Sequence, residues 1–202
     1  MSKKNIFISG GAGFIGVNAA DRYVKQGHRV TLFDNLSRSG SDKNLSWIME
    51  QHPEITFIKG DVRDAETLNK IFREQSYDAV LHLAAQVAVT TSVADPVEDN
   101  AINVLGTLYM LEAVRNGKNR MAPFICSSTN KVYGGLEYLQ VEEAPTRYSL
   151  KELPRGVHEE VLLDFHSPYG CSKGAADQYV RDYARIYGMH TVVMRQSCIY
   201  GE

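Results

Sequence analysis

Four groups of residues in this chain have types and spacings that could do chemistry. In Tyr169-Gly170-Cys171-Ser172-Lys173 a tyrosine and a lysine stand four residues apart, so on a helix they share a face about one turn apart. A phenol titrates near ~10 and serves as a base at neutral pH only when its phenolate is stabilised, which an ammonium close by achieves. Taken alone, the pair also fits an exposed tyrosine and lysine on a solvated helix face. The second group, Ser127-Ser128-Thr129-Asn130-Lys131-Val132-Tyr133-Gly134, sets hydroxyls after an apolar run. Such clusters are commonly turn chemistry, yet Thr129 could also hold a hydroxyl for Tyr169 to deprotonate. The third is Gly10-Gly11-Ala12-Gly13-Phe14-Ile15-Gly16. Gly10 permits a tight turn, Gly13 lets the backbone approach a pyrophosphate, and Gly16 lets a new helix pack close to a sheet. A ligand-free strand-to-helix turn explains glycines too, and the fourth group decides between the readings. Asp34 closes the run Arg29-Val30-Thr31-Leu32-Phe33, 18 residues after Gly16, where an acid accepts hydrogen bonds from an adenosine ribose and repels a 2′-phosphate. NAD is therefore favoured over NADP, although Arg38 nearby is the kind of residue that accommodates the extra phosphate.

The elements that must position these groups follow from pattern. Ile6-Phe7-Ile8 is short and apolar, as a strand buried on both faces should be. Further runs at 29–34, 55–58, 79–83, 123–127 and 191–194 alternate with helical patterns at about 13–26, 45–51, 97–116 and 168–187, and Asp64 is placed to cap a helix after Asp61-Val62-Arg63. That order predicts α/β architecture, a doubly wound parallel sheet of Rossmann type in one domain over residues 1–202. On the first helix Ile15, Ala19, Ala20, Tyr23 and Val24 are expected to face the sheet. The serine- and glycine-rich stretch from Asn35 through Ser37 and Arg38 to Ser41 reads as a loop beside the cofactor. Small residues in Ala84-Ala85-Gln86 let the backbone pass the nicotinamide side, or serve only close strand-to-helix packing. Residues 134–167 lack a clear period, and a loop of that length suits a substrate cover. The helix over 168–187 turns Tyr169, Lys173, Ala176 and Val180 one way and Ala175, Tyr179, Tyr183 and Ile186 another, which predicts a homodimer.

Composition excludes several classes. With 202 residues, 44% hydrophobic and 23% charged, the chain has material for one substantial core. A net charge of −2 and the absence of a basic run argue against nucleic acid. No apolar stretch reaches spanning length, and Met1-Ser2-Lys3-Lys4 leads straight into a strand, so a cytoplasmic protein off the membrane is expected. Cys126, Cys171 and Cys198 have no metal-ligand spacing and read as reduced, mostly buried thiols; His158 and His166 make no zinc pattern, so no metal is expected.

Taken together in this order, the four groups resemble the extended short-chain dehydrogenase/reductases, the nucleotide-sugar epimerase and dehydratase family, over nearly all of the chain. The resemblance implies that Gly10, Gly13 and Gly16 form the dinucleotide loop with backbone donors from Phe14 and Ile15. It makes Asp34 and Asn35 ribose and adenosine contacts, Asp61 and Val62 adenine contacts, and Leu83, Ala84, Ala85 and Gln86 the cofactor lining. Asn103 matches a family asparagine near the active site, with a helix-packing role equally open. Thr129, Tyr169 and Lys173 match the catalytic triad, with Ser127 beside the cofactor. The implied cofactor is NAD and the implied substrate a nucleotide sugar. Two stretches, 128–134 and 163–179, are similar to the branch that inverts carbon 2 of a CDP-dideoxyhexose; dehydratases carry an acidic pair directly after the threonine, where this chain has Asn130-Lys131. A UDP-sugar 4-epimerase and a non-catalytic NAD-binding module remain as alternatives. Family members continue into a C-terminal lobe that grips the substrate nucleotide, and that lobe is expected to be absent from these 202 residues.

Overall fold

The computed structural model describes residues 2–201. Six parallel strands form one sheet: β1 (Asn5–Ser9), β2 (Arg29–Asp34), β3 (Thr56–Lys59), β4 (Ala79–His82), β5 (Phe124–Thr129) and, after a two-stranded hairpin of β6 (Val141–Glu143) and β7 (Tyr148–Leu150), β8 (Thr191–Gln196). Their spatial order is β3-β2-β1-β4-β5-β8. The chain turns back at β1, between β2 and β4, so the crevice where the order reverses lies at the carboxyl ends of β1 and β4.

Helices cover both faces because each central strand is apolar on both. Ile6 and Ile8 of β1 join Val30 and Leu32 of β2 in packing against Val17 and Ala20 of α1 (Phe14–Lys25) and Ile48 of α2 (Ser41–Gln51). Phe7 and Phe33, on the opposite side of the same strands, join Leu68, Ile71 and Phe72 of α3 (Ala65–Glu74). That layer is completed by α6 (Gly106–Arg115) and α7 (Ser167–Tyr187), which supply Leu111, Val114, Val180 and Tyr183. On α1, Ala19, Tyr23 and Val24 meet the sheet as expected, whereas Ile15 turns to the crevice and Val17 takes a core place. Asp64 caps α3 by accepting from Thr67 N.

Three expectations are corrected. The helix read over 97–116 is preceded by a separate α4 (Val89–Ala94), begins as α5 (Pro96–Asn100), and passes through a π-helical turn, Ala101–Leu105, before α6. The β-branched run Val89-Thr90-Thr91 disfavours helix intrinsically; tertiary contact overrides it, since buried Ser92 accepts from the Tyr169 backbone N–H at 3.0 Å. Residues 134–167 contain β6 and β7, strands of three residues, too short to show a period. Their segment is pinned at its neck, where Asp164 N donates to Val132 O at 3.0 Å and the Asp164 carbonyl lies 2.6 Å from where a Cβ on Gly134 would stand. Finally, only Cys126 is buried; Cys171, on the outer face of α7, and Cys198, beyond β8, are exposed.

The crevice exists because the β1–α1 turn runs against β4. Gly10 has φ +69°, and a Cβ there would stand 2.6 Å from the Ala84 backbone nitrogen. Gly27, at φ +85°, has nothing within 4 Å of its Cβ position. Left-handed strain alone makes Gly27→Ala cost about 1 kcal/mol, while added backbone collision brings Gly10→Ala to about 3 kcal/mol. Urea unfolding of the two variants measures the difference, and equal costs would show that the sheet can yield to the turn.

Candidate functional site

A groove of about 570 Å³ opens over the crevice. Gly10, Gly13 and Gly16 form one wall with Phe14 and Ile15, and Leu83, Ala84 and Ala85 stand opposite. Asp34, Asn35, Ser37, Arg38, Asp61 and Val62 line its far end. The close packing is steric: a Cβ on Gly16 would fall 2.5 Å from the Gly10 carbonyl oxygen, and one on Gly11 would fall 2.8 Å from the Leu32 side chain. Gly11, given no role in the sequence reading, is thus what seats the loop on β2. Gly13 stands at the N-cap of helix α1, which has no capping side chain and no acid in its first turn. Its first N–H groups and positive dipole end are therefore left for an anion, as the expected diphosphate requires.

At the far end Asp34 Oδ2 accepts from Ala12 N at 3.0 Å and Oδ1 from Leu36 N at 2.8 Å. An ionised carboxylate has about four acceptor positions, so room for ribose hydroxyls is left. Asn44, also unassigned from sequence, fixes the loop from α2 by donating to Ala12 O at 3.0 Å. Asp61 accepts from Asn35 Nδ2 at 2.9 Å and from Arg63 Nη2 at 2.7 Å, and the guanidinium holds its pKa well below the usual carboxylate range.

The other half of the site stands beside the groove, at the ends of β5 and α7. Tyr169 and Lys173 share the inner face of α7 and are 9% and 6% exposed. Burial pushes the phenol up, and the Thr129 side chain opposes the shift. Burial also pushes the Lys173 ammonium down; one of its three hydrogens is donated to the Ser127 carbonyl. Each group is thus shifted towards its neutral form. Thr129 Oγ1 accepts from Lys131 N at 3.2 Å at the head of the short turn Asn130–Tyr133.

Asn103 and Gln86 join the halves. Asn103 Oδ1 accepts from Gln86 N at 2.9 Å, while Nδ2 reaches Gln86 O at 3.1 Å and Ser172 Oγ, next to Lys173, at 3.0 Å. Below them runs a chain that sequence reasoning missed, because a serine, a histidine and a threonine scattered over three elements carry no motif. The Thr107 hydroxyl donates to the Asn103 carbonyl at 2.6 Å, so its oxygen accepts from His82 Nε2 at 3.0 Å. His82 Nδ1 then accepts from the Ser9 hydroxyl at 2.7 Å. His82 is neutral here: burial, reinforced by the Lys173 charge, pushes its pKa down to about 3. Asp177, fully buried, takes a two-point pair from Arg195 at 2.8 and 3.0 Å, and Arg195 also donates to the Tyr133 hydroxyl at 2.9 Å. Among the described residues no group of three or more His, Cys, Asp or Glu is placed to hold a metal, and no helix is long and apolar enough to cross a membrane.

Comparison with known proteins places this arrangement. A family profile described as GDP-mannose 4,6 dehydratase matches residues 7–202. CDP-paratose 2-epimerase of Salmonella typhi is 49% identical over 97% of this chain and 57% of its own length. Among solved structures, UDP-glucose 4-epimerase of Thermotoga maritima with UDP-glucose superposes with a TM-score of 0.76 at 33% identity, covering 95% of this chain and 54% of that one. The dTDP-glucose 4,6-dehydratase of Streptomyces venezuelae, solved with NAD bound, gives 0.77 at 28% identity, covering 95% and 55%. The chain spans about half the length of the curated relatives it matches.

His82 makes the site's packing pH-sensitive. Its folded pKa of about 3 lies below the ordinary 6.5, so the unfolded chain binds the extra proton inside that window and stability falls as pH is lowered through it. Wild-type protein is expected to lose about 2 kcal/mol from this group between about pH 6.5 and about pH 5. In His82→Gln that part of the slope disappears, although the variant is weaker at neutral pH; urea unfolding at several pH values checks this, and parallel slopes would refute it.

Proposed function

The chain belongs to the GDP-mannose 4,6-dehydratase family of NAD-dependent epimerases and dehydratases, and on that premise we propose that residues 1–202 form an NAD-binding domain whose site inverts carbon 2 of a CDP-linked 3,6-dideoxyhexose. The observation that carries the choice of carbon is the likeness to CDP-paratose 2-epimerase over nearly the whole chain. The turn after Thr129 supports it: Asn130 and Lys131 offer no acid beside the threonine, where elimination of water needs one. NAD, when bound, accepts a hydride from the sugar carbon and returns it.

The chain's own residues do the rest. The first N–H groups of α1 hold the diphosphate, and Asp34 holds the adenosine ribose and repels a 2′-phosphate, which selects NAD over NADP. Thr129 holds the sugar hydroxyl towards Tyr169, whose phenolate takes the hydroxyl proton. Lys173 keeps two hydrogens beyond the one spent on Ser127, and these serve the phenolate and the nicotinamide ribose. Inversion follows when the flat keto sugar turns over and receives the hydride on its other face, while Tyr169 returns the proton.

Tyr169→Phe removes one oxygen from a buried ring. We expect turnover to fall by about 10³-fold with affinity for NAD little changed, and near wild-type turnover would remove Tyr169 from the role of base. A substrate deuterated at carbon 2 is expected to keep its label there in the product; loss to water, or inversion at carbon 4, would overturn the assignment of the carbon.

We further propose that the chain forms a homodimer through the outer face of α7. Tyr183 is removed from the face first expected, because it turns inward and donates to Glu112 Oε1 at 2.7 Å. Tyr179 and Ile186 stay 44% and 66% exposed, and Val93 of the adjoining α4 is 63% exposed. Light scattering at high micromolar concentration is expected to give twice the chain mass, and a monomer would refute the pairing.

A further inference from the structure

Asp99 is the one described residue with a buried side-chain polar atom that lacks a partner: it is 1% exposed, and its Oδ2 meets no donor. Its Oδ1 accepts from Gln86 Nε2 at 3.1 Å and Asn103 Nδ2 at 3.2 Å. A carboxylate withdrawn from water with an oxygen idle is costly unless a positive charge offsets it. The charge on its side is Lys173, buried beside Ser172, which the same Asn103 amide contacts at 3.0 Å. While Tyr169 keeps its proton, no other anion is left for Lys173 among its neighbours. Asp177, one turn along α7, is committed to Arg195. Cys126 on β5 is a thiol pushed up by burial, His82 on β4 is neutral, and the Tyr169 phenol is pushed up by burial. Glu98, next to Asp99, is turned outward to Arg63 at 2.7 Å.

We propose that Asp99 is the fixed anion of the Tyr169–Lys173 centre, offsetting the Lys173 ammonium and the oxidised nicotinamide ring together so that the buried centre is neutral before and after the chemistry. This rests on the roles given to Tyr169 and Lys173 above. The hydride leaves the carbinol carbon and the proton leaves its hydroxyl oxygen, so a bound ring would lie beside Tyr169, towards the end of β4 where Gln86 connects to Asp99. Before reaction the phenolate and Asp99 cancel the ammonium and the ring. The sugar C–H bond then breaks with its electron pair and hydrogen passing to the ring, the O–H bond breaks with its proton passing to Tyr169, and C=O forms. Phenol and reduced ring are now neutral, and Lys173 and Asp99 cancel each other. Without Asp99 a unit positive charge stays buried in both states. Burial pushes the pKa of the carboxyl above its ordinary 3.8, and Ser172 and the Lys173 charge draw it back.

Asp99→Asn keeps an acceptor oxygen for both amides and replaces the charged carboxylate with a neutral carboxamide of nearly the same shape. By calorimetry, affinity for oxidised NAD is expected to fall about tenfold while that for NADH changes by less than about twofold, as loss of one partly screened attraction to the ring requires. A second measurement follows pH: in the wild-type protein the ratio of the two affinities is expected to shift against oxidised NAD as Asp99 takes up a proton, and in Asp99→Asn that part of the shift is expected to be lost while any part due to Tyr169 stays. Equal weakening of both forms, or a ratio indifferent to the substitution and to pH, makes Asp99 a packing residue and overturns the inference alone. Failure of wild-type protein to bind either form overturns the reading of the site and this inference with it.

Discussion

The carboxamide of Asn103 is the point on which the rest of the site depends. Its two amide hydrogens are shared among Gln86 O, Asp99 Oδ1 and Ser172 Oγ, while its oxygen takes the Gln86 N–H. One side chain thus holds the end of β4, α5 and α7 in a single arrangement. An ordinary α-turn would rotate residue 103 away from that position. The π-helical turn Ala101–Leu105 inserts an extra residue and turns Asn103 inward to 2% exposure. The chain Ser9–His82–Thr107 then ties the same turn to β1 and β4 from below.

The β5–β8 side is held by charge rather than by amides. Arg195 on β8 reaches across to Asp177 on α7 and to Tyr133, over whose ring its guanidinium carbon lies at 5.1 Å. Ser128 on β5 donates to the same carboxylate at 3.2 Å. A buried ion pair contributes little net stability when both ions must be dehydrated, but losing one partner is severe. Its effect here is to allow one register of α7 against β5, the register that faces Tyr169 and Lys173 inward.

What was legible in the sequence was whatever depends on neighbours along the chain. The apolar run of β1, the glycines after it, Asp34 at the end of β2 and the four-residue spacing of Tyr169 and Lys173 are local patterns, and the structure gathers them at one edge of one sheet. Illegible was whatever depends on neighbours across space. Asp99 lies in the polar stretch Glu98-Asp99-Asn100, where nothing in the neighbouring residues marks it for burial, yet it is buried because α7 covers it. The π turn has no signature apart from the need to aim Asn103. Helix α4 runs against its own β-branched composition because Ser92 is claimed by the start of α7. The exposed Cys171 was misjudged for the same reason: which face of α7 is covered is decided by α4, α5 and β5, not by α7 itself.

The pinned neck of residues 134–164 gives the molecule a modular seam. Since Asp164 closes on Val132 and Gly134 leaves no space for a side chain beneath it, the two ends of the excursion are fixed whatever lies between. The closure entropy of a loop grows only logarithmically with its length, by about 0.6 kcal/mol per doubling. Lineages descending from such a chain are free to lengthen, shorten or exchange the hairpin segment as a cassette, without re-registering the sheet or disturbing the packing of Tyr169 and Lys173 against β5.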